Sequence, residues 1–262
     1  MINIIQNTIG SLRRSGGGGD TTSFITTWRT TTASETITIP TTGTGYNYAI
    51  STSDGQTFSG ITGSQAITFA SAGDYDISIS GDFPRIYFNN AGDKAKIIDI
   101  KQWGNIAWNS FEKSFKGCSN LVGSFTDKPD LSSVTSLRDM LISASSFNTD
   151  INDWNVSNIS DFKAMFYSSS SFNQSLSLWD VSNGVDLSFM FQNVTLSTAN
   201  YDATLIGWEA TLQAAFPSGT GYTPTISISF GNSQYTGGGA VATARASLIS
   251  NFGWTITDGG IV

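Results

Sequence analysis

Residues 147–158 read FNTDINDWNVSN, and residues 172–183 read FNQSLSLWDVSN, so the second copy begins 25 residues after the first. The copies share a phenylalanine-asparagine start and a tryptophan followed by valine, serine and asparagine. A fixed period in this range is the sequence signature of a solenoid, whose units bury their apolar faces only by stacking on one another. The repeat therefore predicts a stack of similar units. The rest of the chain is expected to precede this stack, to cap its ends or to present it to a partner.

The same period extends to apolar residues outside these two copies. Residues 165–166 and 190–191 both read Met-Phe, and Met-Leu stands one period earlier at 140–141. An earlier copy, Ser-Phe at 114–115, is offset from 140–141 by 26 residues. We expect the three methionines to fill the core, because an unbranched thioether adapts to irregular gaps.

Two local patterns alternate within each unit. Leu176, Leu178 and Val181 supply strand-like positions. Phe162, Met165 and Phe166 follow the i, i+3, i+4 spacing that places side chains on one face of a short helical turn. One strand and one short helix per unit of about 25 residues is the plan of a leucine-rich repeat.

Three motifs in this region resemble those of a known family. FKGCSNL at residues 115–121 is similar to the AFxxCxxL core of BspA-like leucine-rich repeats, and FNQ at 172–174 with WDVSN at 179–183 is similar to their signature. The resemblance covers about residues 101–208, and segments 200–208 and 253–258 resemble the family's closing segment. It implies display on a cell surface or virion, and attachment through the exposed face of the solenoid.

The N-terminal part contains short apolar or alternating runs separated by turn signals, which are typical of an antiparallel β-sandwich. The runs are 24–28, 36–39, 46–50, 66–69, 75–79 and 85–88. The segments TIP at 38–40, AGDY at 72–75 and ISISG at 77–81 resemble PKD-like, immunoglobulin-fold domains of surface proteins. Those domains often have a Trp-Gly-Asp-Gly turn, where this chain has TSDG at 52–55.

The predicted fold class is mixed β and α/β. An N-terminal arm with a glycine-rich tether (1–22) leads to an immunoglobulin/PKD-like β-sandwich (23–100), BspA-like leucine-rich repeats (101–217) and a C-terminal α/β cap (218–262). Within the cap we expect strands at 226–230 and 254–256 and a helix at 240–251. The apolar residues of the arm are predicted to anchor it to another protein, and they are Ile2, Ile4, Ile5, Ile9 and Leu12.

Bulk properties exclude several functional classes. The net charge of −7 argues against a nucleic-acid partner, because binding to phosphates requires clustered lysine and arginine. Cys118 is the single cysteine, so an internal disulfide is impossible, and we expect it to be a small buried side chain. The chain has no apolar run of 18 residues, which argues against membrane insertion. Its first residues do not follow the pattern of a secretory signal.

Catalysis would have to use carboxylates, because the chain contains no histidine. Asp150, Asp153 and Asp161 lie in one repeat, and paired acids could serve a glycosidase. However, Asp150 and Asp153 are not retained one unit later, so a structural role in turns is favoured. The sequence predicts no catalytic residue, no metal site and no cofactor.

The two repeated tryptophans, Trp154 and Trp179, are the candidate binding residues. Stacked one repeat apart, they would lie about 5 Å from one another in a parallel ladder and could form an exposed platform for sugars. They could equally be buried, and this alternative is favoured because a repeated large aromatic usually supplies burial. Specificity is expected at positions that differ between copies.

The sequence favours a non-enzymatic, exposed structural or binding protein, and in particular a phage virion component such as a tail, fibre or capsid-attached protein. The expected location is the virion surface, with the arm bound to other virion proteins. The alternatives are a bacterial cell-surface or secreted adhesin that binds a host protein or glycan, and a carbohydrate-active enzyme. Homo-oligomerisation stays open.

Overall fold

The computed structural model describes residues 20–262. The anchoring residues predicted in the arm, Ile2, Ile4, Ile5, Ile9 and Leu12, lie outside the described residues. Within the described part the chain is mixed and mostly sheet, with few helices. The expected sheet-rich N-terminal region is confirmed.

Two sheets form the N-terminal part. The strands are β1 (Phe24–Thr30), β2 (Glu35–Ile39), β3 (Asn47–Thr52), β4 (Thr57–Ile61), β5 (Gln65–Phe69), β6 (Gly73–Asp82), β7 (Ile97–Gln102) and β8 (Val122–Gly123). Six of them form a sheet in the order β4-β3-β6-β1-β7-β8, and β2 pairs with β5. Alternation directs Ile77 and Ile79 of β6 and Ile37 and Ile39 of β2 into one apolar core. Each such side chain contributes about 1.5–3 kcal/mol by its burial.

Five of the six runs predicted as strands coincide with β1, β2, β3, β5 and β6. The sixth, 85–88, is not a strand of either sheet. Its backbone turns instead towards the repeats, because the N–H of Phe88 donates to the carbonyl of Ser114 at 3.1 Å. The prediction was wrong here because an apolar run has the same appearance in a sheet and in the first turn of a repeat.

The long sheet continues into the repeats through β7. This strand pairs antiparallel with β1 and parallel with β8, where Asp99 faces Val122 and Ile100 faces Gly123. The boundary predicted between residues 100 and 101 therefore falls inside β7. The N-terminal sheet and the first repeat share one strand.

Successive repeats are joined by a backbone ladder, which consists of residues 113–117, 137–143, 162–168 and 187–193. Alternate N–H groups of 137–143 donate to carbonyls of 161–167, and those of 162–168 donate to carbonyls of 186–192, at N···O distances between 2.8 and 3.0 Å. The isolated parallel bridges that join Ser136 to Asp161 and Asp161 to Asp186 follow the same 25-residue spacing. Each repeat thus satisfies backbone groups of its neighbour.

The short helical turn predicted from Phe162, Met165 and Phe166 does not form. The N–H of Met165 donates a hydrogen bond to the carbonyl of Phe162 and closes a turn. The N–H of Phe166 donates instead to the carbonyl of Met190 in the next repeat. Ala164 interrupts the helical backbone with a φ of 52°. The spacing predicted the buried face correctly but not the backbone, because hydrogen bonds between repeats replace those within a helix.

The interior of the repeats consists of columns of apolar side chains. The rings of Phe166 and Phe191 stack at 5.4 Å, and Phe191 stacks on Phe230 at 5.1 Å. The core also contains the predicted methionines and Cys118, all of them buried. Burial raises the pKa of the Cys118 thiol well above its usual value. The expected packing role of these side chains is confirmed.

The repeated asparagines form two polar columns on the edges of the stack. Asn148 Oδ1 accepts a hydrogen bond from the N–H of Asn173 at 2.7 Å. On another edge, the side-chain amides of Asn158 and Asn183 donate to carbonyls 26 residues earlier, at 2.8 and 2.7 Å. These contacts explain why both motif copies keep asparagine at these positions.

The period predicts repeats as far as residue 217, but a helix, α1 (Thr198–Ala215), takes over after residue 197. Ser197 caps it by accepting a hydrogen bond from the N–H of Asn200. Its buried face contains Tyr201, Leu205 and Trp208 at helical spacing. The helix covers the last repeat, because the indole N–H of Trp208 donates to the carbonyl of Leu176 at 2.8 Å.

The remaining segment matches the predicted cap. It contains β9 (Ser227–Ser229), α2 (Gly239–Ser250) and β10 (Thr255–Thr257), and β9 and β10 pair in parallel. The N–H of Phe191 donates to the carbonyl of Ser229, so β9 continues the ladder. Among residues 20–262, neither α-helix has the length and apolar character needed to span a bilayer.

Candidate functional site

Both candidate tryptophans are buried. Trp154 is 2% exposed and Trp179 is 0% exposed. The Trp154 ring packs 5.5 Å from Trp103, and the Trp179 ring packs 5.7 Å from Phe162. This agrees with the interpretation as core residues. An exposed platform for sugars at these positions does not fit the structure, because both side chains are almost completely buried.

The acids of the repeats are occupied by structural contacts. Asp150 Oδ1 accepts the N–H of Asn152 in a turn, and Asp153 pairs with Lys128 at 2.8 Å. Asp161 accepts the N–H of Lys163. Across residues 20–262, no group of three cysteine, aspartate or glutamate side chains is arranged to hold a metal ion.

The ladder presents a row of ion pairs on its exposed side, each joining one repeat to the next. Lys116 pairs with Asp139 at 3.0 Å, and Arg138 pairs with Asp161 at 3.2 Å. A longer pair of 3.7 Å joins Lys163 to the carboxylate one repeat later, Asp186. We call this exposed side of residues 113–117, 137–143, 162–168 and 187–193 the ladder face.

Asp186 is held in its ionised form by its surroundings. Partial burial alone would raise its pKa, but hydrogen bonds from Ser188 and the charge of Lys163 outweigh that effect, so the pKa lies below its usual value. The hydroxyl and the backbone N–H of Ser188 both donate to Asp186 Oδ1. The Asp186 carboxylate therefore stays ionised beside Lys163.

An apolar hollow of about 480 Å³ lies on the ladder face. It is lined by Lys116, Ile142, Ala164, Tyr167 and Phe189. Phe189 is 51% exposed, which is unusual for so large an apolar side chain, and Lys163 Nζ lies 5.9 Å from the centre of its ring. The hollow is the candidate functional site, since exposed apolar patches with a polar rim mark interaction surfaces.

A second, more polar hollow of about 780 Å³ lies on the outer face of the six-stranded sheet. Four of its five charged side chains are paired, Arg29 with Asp74 at 2.7 Å and Lys101 with Asp76 at 2.8 Å, and the fifth, Asp99, accepts hydrogen bonds from Ser124. Asp76 also accepts the hydroxyl hydrogen bond of Thr27. These contacts hold strands β1, β6 and β7 together, so we assign this hollow a structural role.

The residues that line the apolar hollow were not predicted from the sequence. Phe189 occupies the position of Ala164 and Asp139 in the preceding repeats, and Tyr167 occupies that of Ile142. These are positions that differ between copies, where specificity is expected. Their common exposure could not be derived from sequence, because it depends on the backbone turns of the ladder.

Residues 85–208 match the model of a family described as DUF285, Mycoplasma protein of unknown function. The matched range is just under half of the chain, and it begins at the run that leads into the first repeat. This family is related to BspA-like surface repeat proteins. No curated protein and no solved structure matches the chain.

Proposed function

We propose that the protein is a non-enzymatic attachment protein, in which residues from about 85 onwards form a leucine-rich-repeat solenoid that displays the ladder face to a partner. The observation that carries the proposal is the ladder itself. One backbone hydrogen-bond pattern is repeated from unit to unit, while the side chains exposed on it change. A constant scaffold with variable exposed positions is the arrangement that repeat proteins use for binding.

A binding role is also supported by the contacts of the acids. Catalysis by a carboxylate pair needs two acids that face a substrate. Here Asp150 accepts a backbone hydrogen bond within a turn, and Asp153 pairs with a lysine. Asp161 accepts a hydrogen bond from a backbone N–H. A carbohydrate-active enzyme is accordingly the least supported of the candidate functions.

For the location we favour a virion, with the N-terminal arm bound to other particle proteins. The proposal rests on the sequence of residues 1–19, in which several isoleucines precede a run of four glycines. Apolar residues at this density favour burial against a partner, and a glycine run acts as a flexible tether. The N-terminal sheets, which we propose to be an immunoglobulin/PKD-like sandwich, follow the arm in the chain.

A bacterial surface is the second candidate location, and a separate observation favours it. The family matched by residues 85–208 carries a Mycoplasma description and is related to surface repeat proteins. On a cell, the same ladder face would bind a host protein or glycan. The two locations share the attachment role and differ in what holds the protein in place.

Deleting residues 1–19 tests the virion proposal. We expect the deletion to reduce the amount of the protein in purified particles at least tenfold while the remaining chain stays folded, because the apolar anchor is gone. Quantitative mass spectrometry of particles and cell envelopes measures the distribution. Substituting the exposed Ile261 with asparagine is the matched control and should leave incorporation unchanged. Normal incorporation of the deletion variant, or recovery mainly in envelopes, would contradict the virion location.

A further inference from the structure

Phe189 combines an exposed aromatic side chain with a left-handed backbone. Its side chain is 51% exposed, and its backbone adopts a φ of 61°, in the left-handed region. That region is uncommon for residues other than glycine and asparagine.

The equivalent positions in other repeats show that the backbone itself does not demand an aromatic side chain. Lys113, Asp139 and Ala164 adopt the same left-handed conformation, with φ of 59°, 58° and 52°. They are charged or small. The left-handed backbone is therefore a regular feature of the repeat, and the exposed aromatic ring is what distinguishes Phe189 from the equivalent residues.

Phe189 and Tyr167 flank the apolar hollow described above, and Ile142 and Ala164 complete its apolar lining. Pockets that receive a single anchoring side chain are usually aromatic or aliphatic in this way and carry most of the binding energy of an interface. The aliphatic stem of Lys116 adds to the lining.

The charges at the rim restrict the chemistry of the occupant. Lys116 lines the hollow and Lys163 Nζ lies 5.9 Å from the centre of the Phe189 ring, which disfavours a cationic group between the rings. Their ammonium groups already face Asp139 and Asp186, so they are poorly available to an anion. A sugar needs several directional hydrogen bonds besides an aromatic face, whereas these polar groups are already paired. An uncharged aromatic or aliphatic side chain fits the hollow best.

A second copy of the chain is a poor occupant. Each copy has a net charge of −7, so two copies repel one another. The partner is better sought in another protein.

We propose that the hollow between Tyr167 and Phe189 is the docking pocket for an uncharged aromatic or aliphatic anchor residue of a protein partner. This inference rests on the proposed attachment function and assigns its binding face. Phe189 is the central contact, and the paired charges around it form the polar rim that excludes water from the pocket.

The test compares Phe189→Asn with Leu178→Asn in the full chain. Asparagine tolerates the left-handed backbone, so Phe189→Asn should unfold in urea at the same or a higher concentration than the wild type. Leu178 is 70% exposed and lies outside the hollow, which makes it a control for the loss of an exposed apolar side chain. The probe is a peptide selected on the wild-type protein from a random-peptide display library.

We expect selected peptides to share an uncharged aromatic or aliphatic residue. Phe189→Asn should weaken their binding on the order of 30-fold, and Leu178→Asn should leave it unchanged. If the selected peptides bind the wild type and Phe189→Asn with equal affinity, this hollow is not the docking pocket, although attachment through another surface would still be consistent with the result. Failure to enrich any peptide, binding of a glycan array that depends on Phe189, or a dimer abolished by Phe189→Asn would each overturn the proposed occupant. If the protein is found neither in purified particles nor in cell envelopes, the proposed attachment function is wrong. That outcome is independent of the peptide-binding result.

Discussion

Trp154 and Trp179 occupy the same position in successive repeats, but their indole nitrogens have different surroundings. The N–H of Trp179 donates to the carbonyl of Ile151 at 2.9 Å. The buried N–H of Trp154 has no hydrogen-bond partner among residues 20–262. A buried donor without a partner is costly, so the two indoles contribute differently to stability although both are buried.

Replacing each tryptophan with phenylalanine should reveal this difference. Both variants lose packing volume, but Trp179→Phe also loses a hydrogen bond, whereas Trp154→Phe removes an unpaired donor. We therefore expect Trp179→Phe to lower the free energy of unfolding by about 1 kcal/mol more than Trp154→Phe. Urea unfolding of the two variants and the wild type measures this difference in the free energy of unfolding. An equal loss would mean that the N–H of Trp154 finds a partner in solution.

At the residue scale, the sequence predicted burial better than contacts. The burial of Cys118 and of the methionines follows from their apolar nature and their period. The exposure of Phe189 does not, because a large apolar side chain is usually buried. Sequence alone treats a phenylalanine in a repeat as core, and only the turn geometry distinguishes it.

The turn between β1 and β2 is organised by one carboxylate. Glu35 Oε2 accepts hydrogen bonds from the N–H groups of Thr31 and Thr32, and Glu35 pairs with Lys96 at 3.0 Å. The N–H of Thr31, then Lys96 and the N–H of Thr32, lower the pKa of Glu35 to about 2. The folded state therefore favours the ionised carboxylate.

The stability of this turn should depend on pH with a defined sign. A carboxylate whose pKa is lowered on folding stabilises the protein fully above its usual pKa of 4.5 and loses that contribution as pH falls towards 2. We expect Glu35→Gln to lower the melting temperature at pH 7. The difference from the wild type should shrink progressively below pH 4.5, as measured by thermal unfolding from pH 7 to pH 3. A difference that stays constant over this range would argue against ionisation as its cause.

Strands and helices were predictable from the sequence where the local pattern of apolar residues matches the backbone hydrogen bonding in the structure. Strand β6 alternates clearly, and α2 contains strong helix formers, so both were expected. Strand β4 was missed because its sequence, TFSGI, contains serine and glycine where apolar residues would mark a strand. Helix α1 was missed because the repeat period was extended across it, although Ser197 and the spacing of its buried residues are recognisable signals.

The molecule as a whole is continuous across the predicted domain boundary. Strand β7 hydrogen-bonds β1 on one side and β8 of the repeats on the other. Gly104, which follows β7, has a φ of 64° and packs directly on the carbonyls of Thr22 and Ser23. The start of the first strand and the first repeat are therefore in close contact, which sequence could not reveal because the shared strand belongs to both patterns.

This continuity predicts one cooperative unfolding transition, with coincident urea curves from far-UV circular dichroism and tryptophan fluorescence. Gly104→Ala should lower the midpoint strongly, because a Cβ would collide with the two carbonyls. Gly92→Ala is the matched control, with a φ of 57° and open space around it, and should cost about 1 kcal/mol. Two separate transitions in the wild type, or equal losses in the two variants, would show that the sheet and the repeats are independent.

The 25-residue spacing of the ladder also bears on how such a protein can change in evolution. An in-frame duplication of one unit adds a repeat whose two stacking surfaces already match those of its neighbours. The N-terminal sheets and the C-terminal cap would therefore keep their existing contacts. Each added unit would lengthen the molecule by about 4.8 Å, the spacing of neighbouring strands. Related genes could thus differ in reach by whole units, while point substitutions on the exposed side alter what is reached.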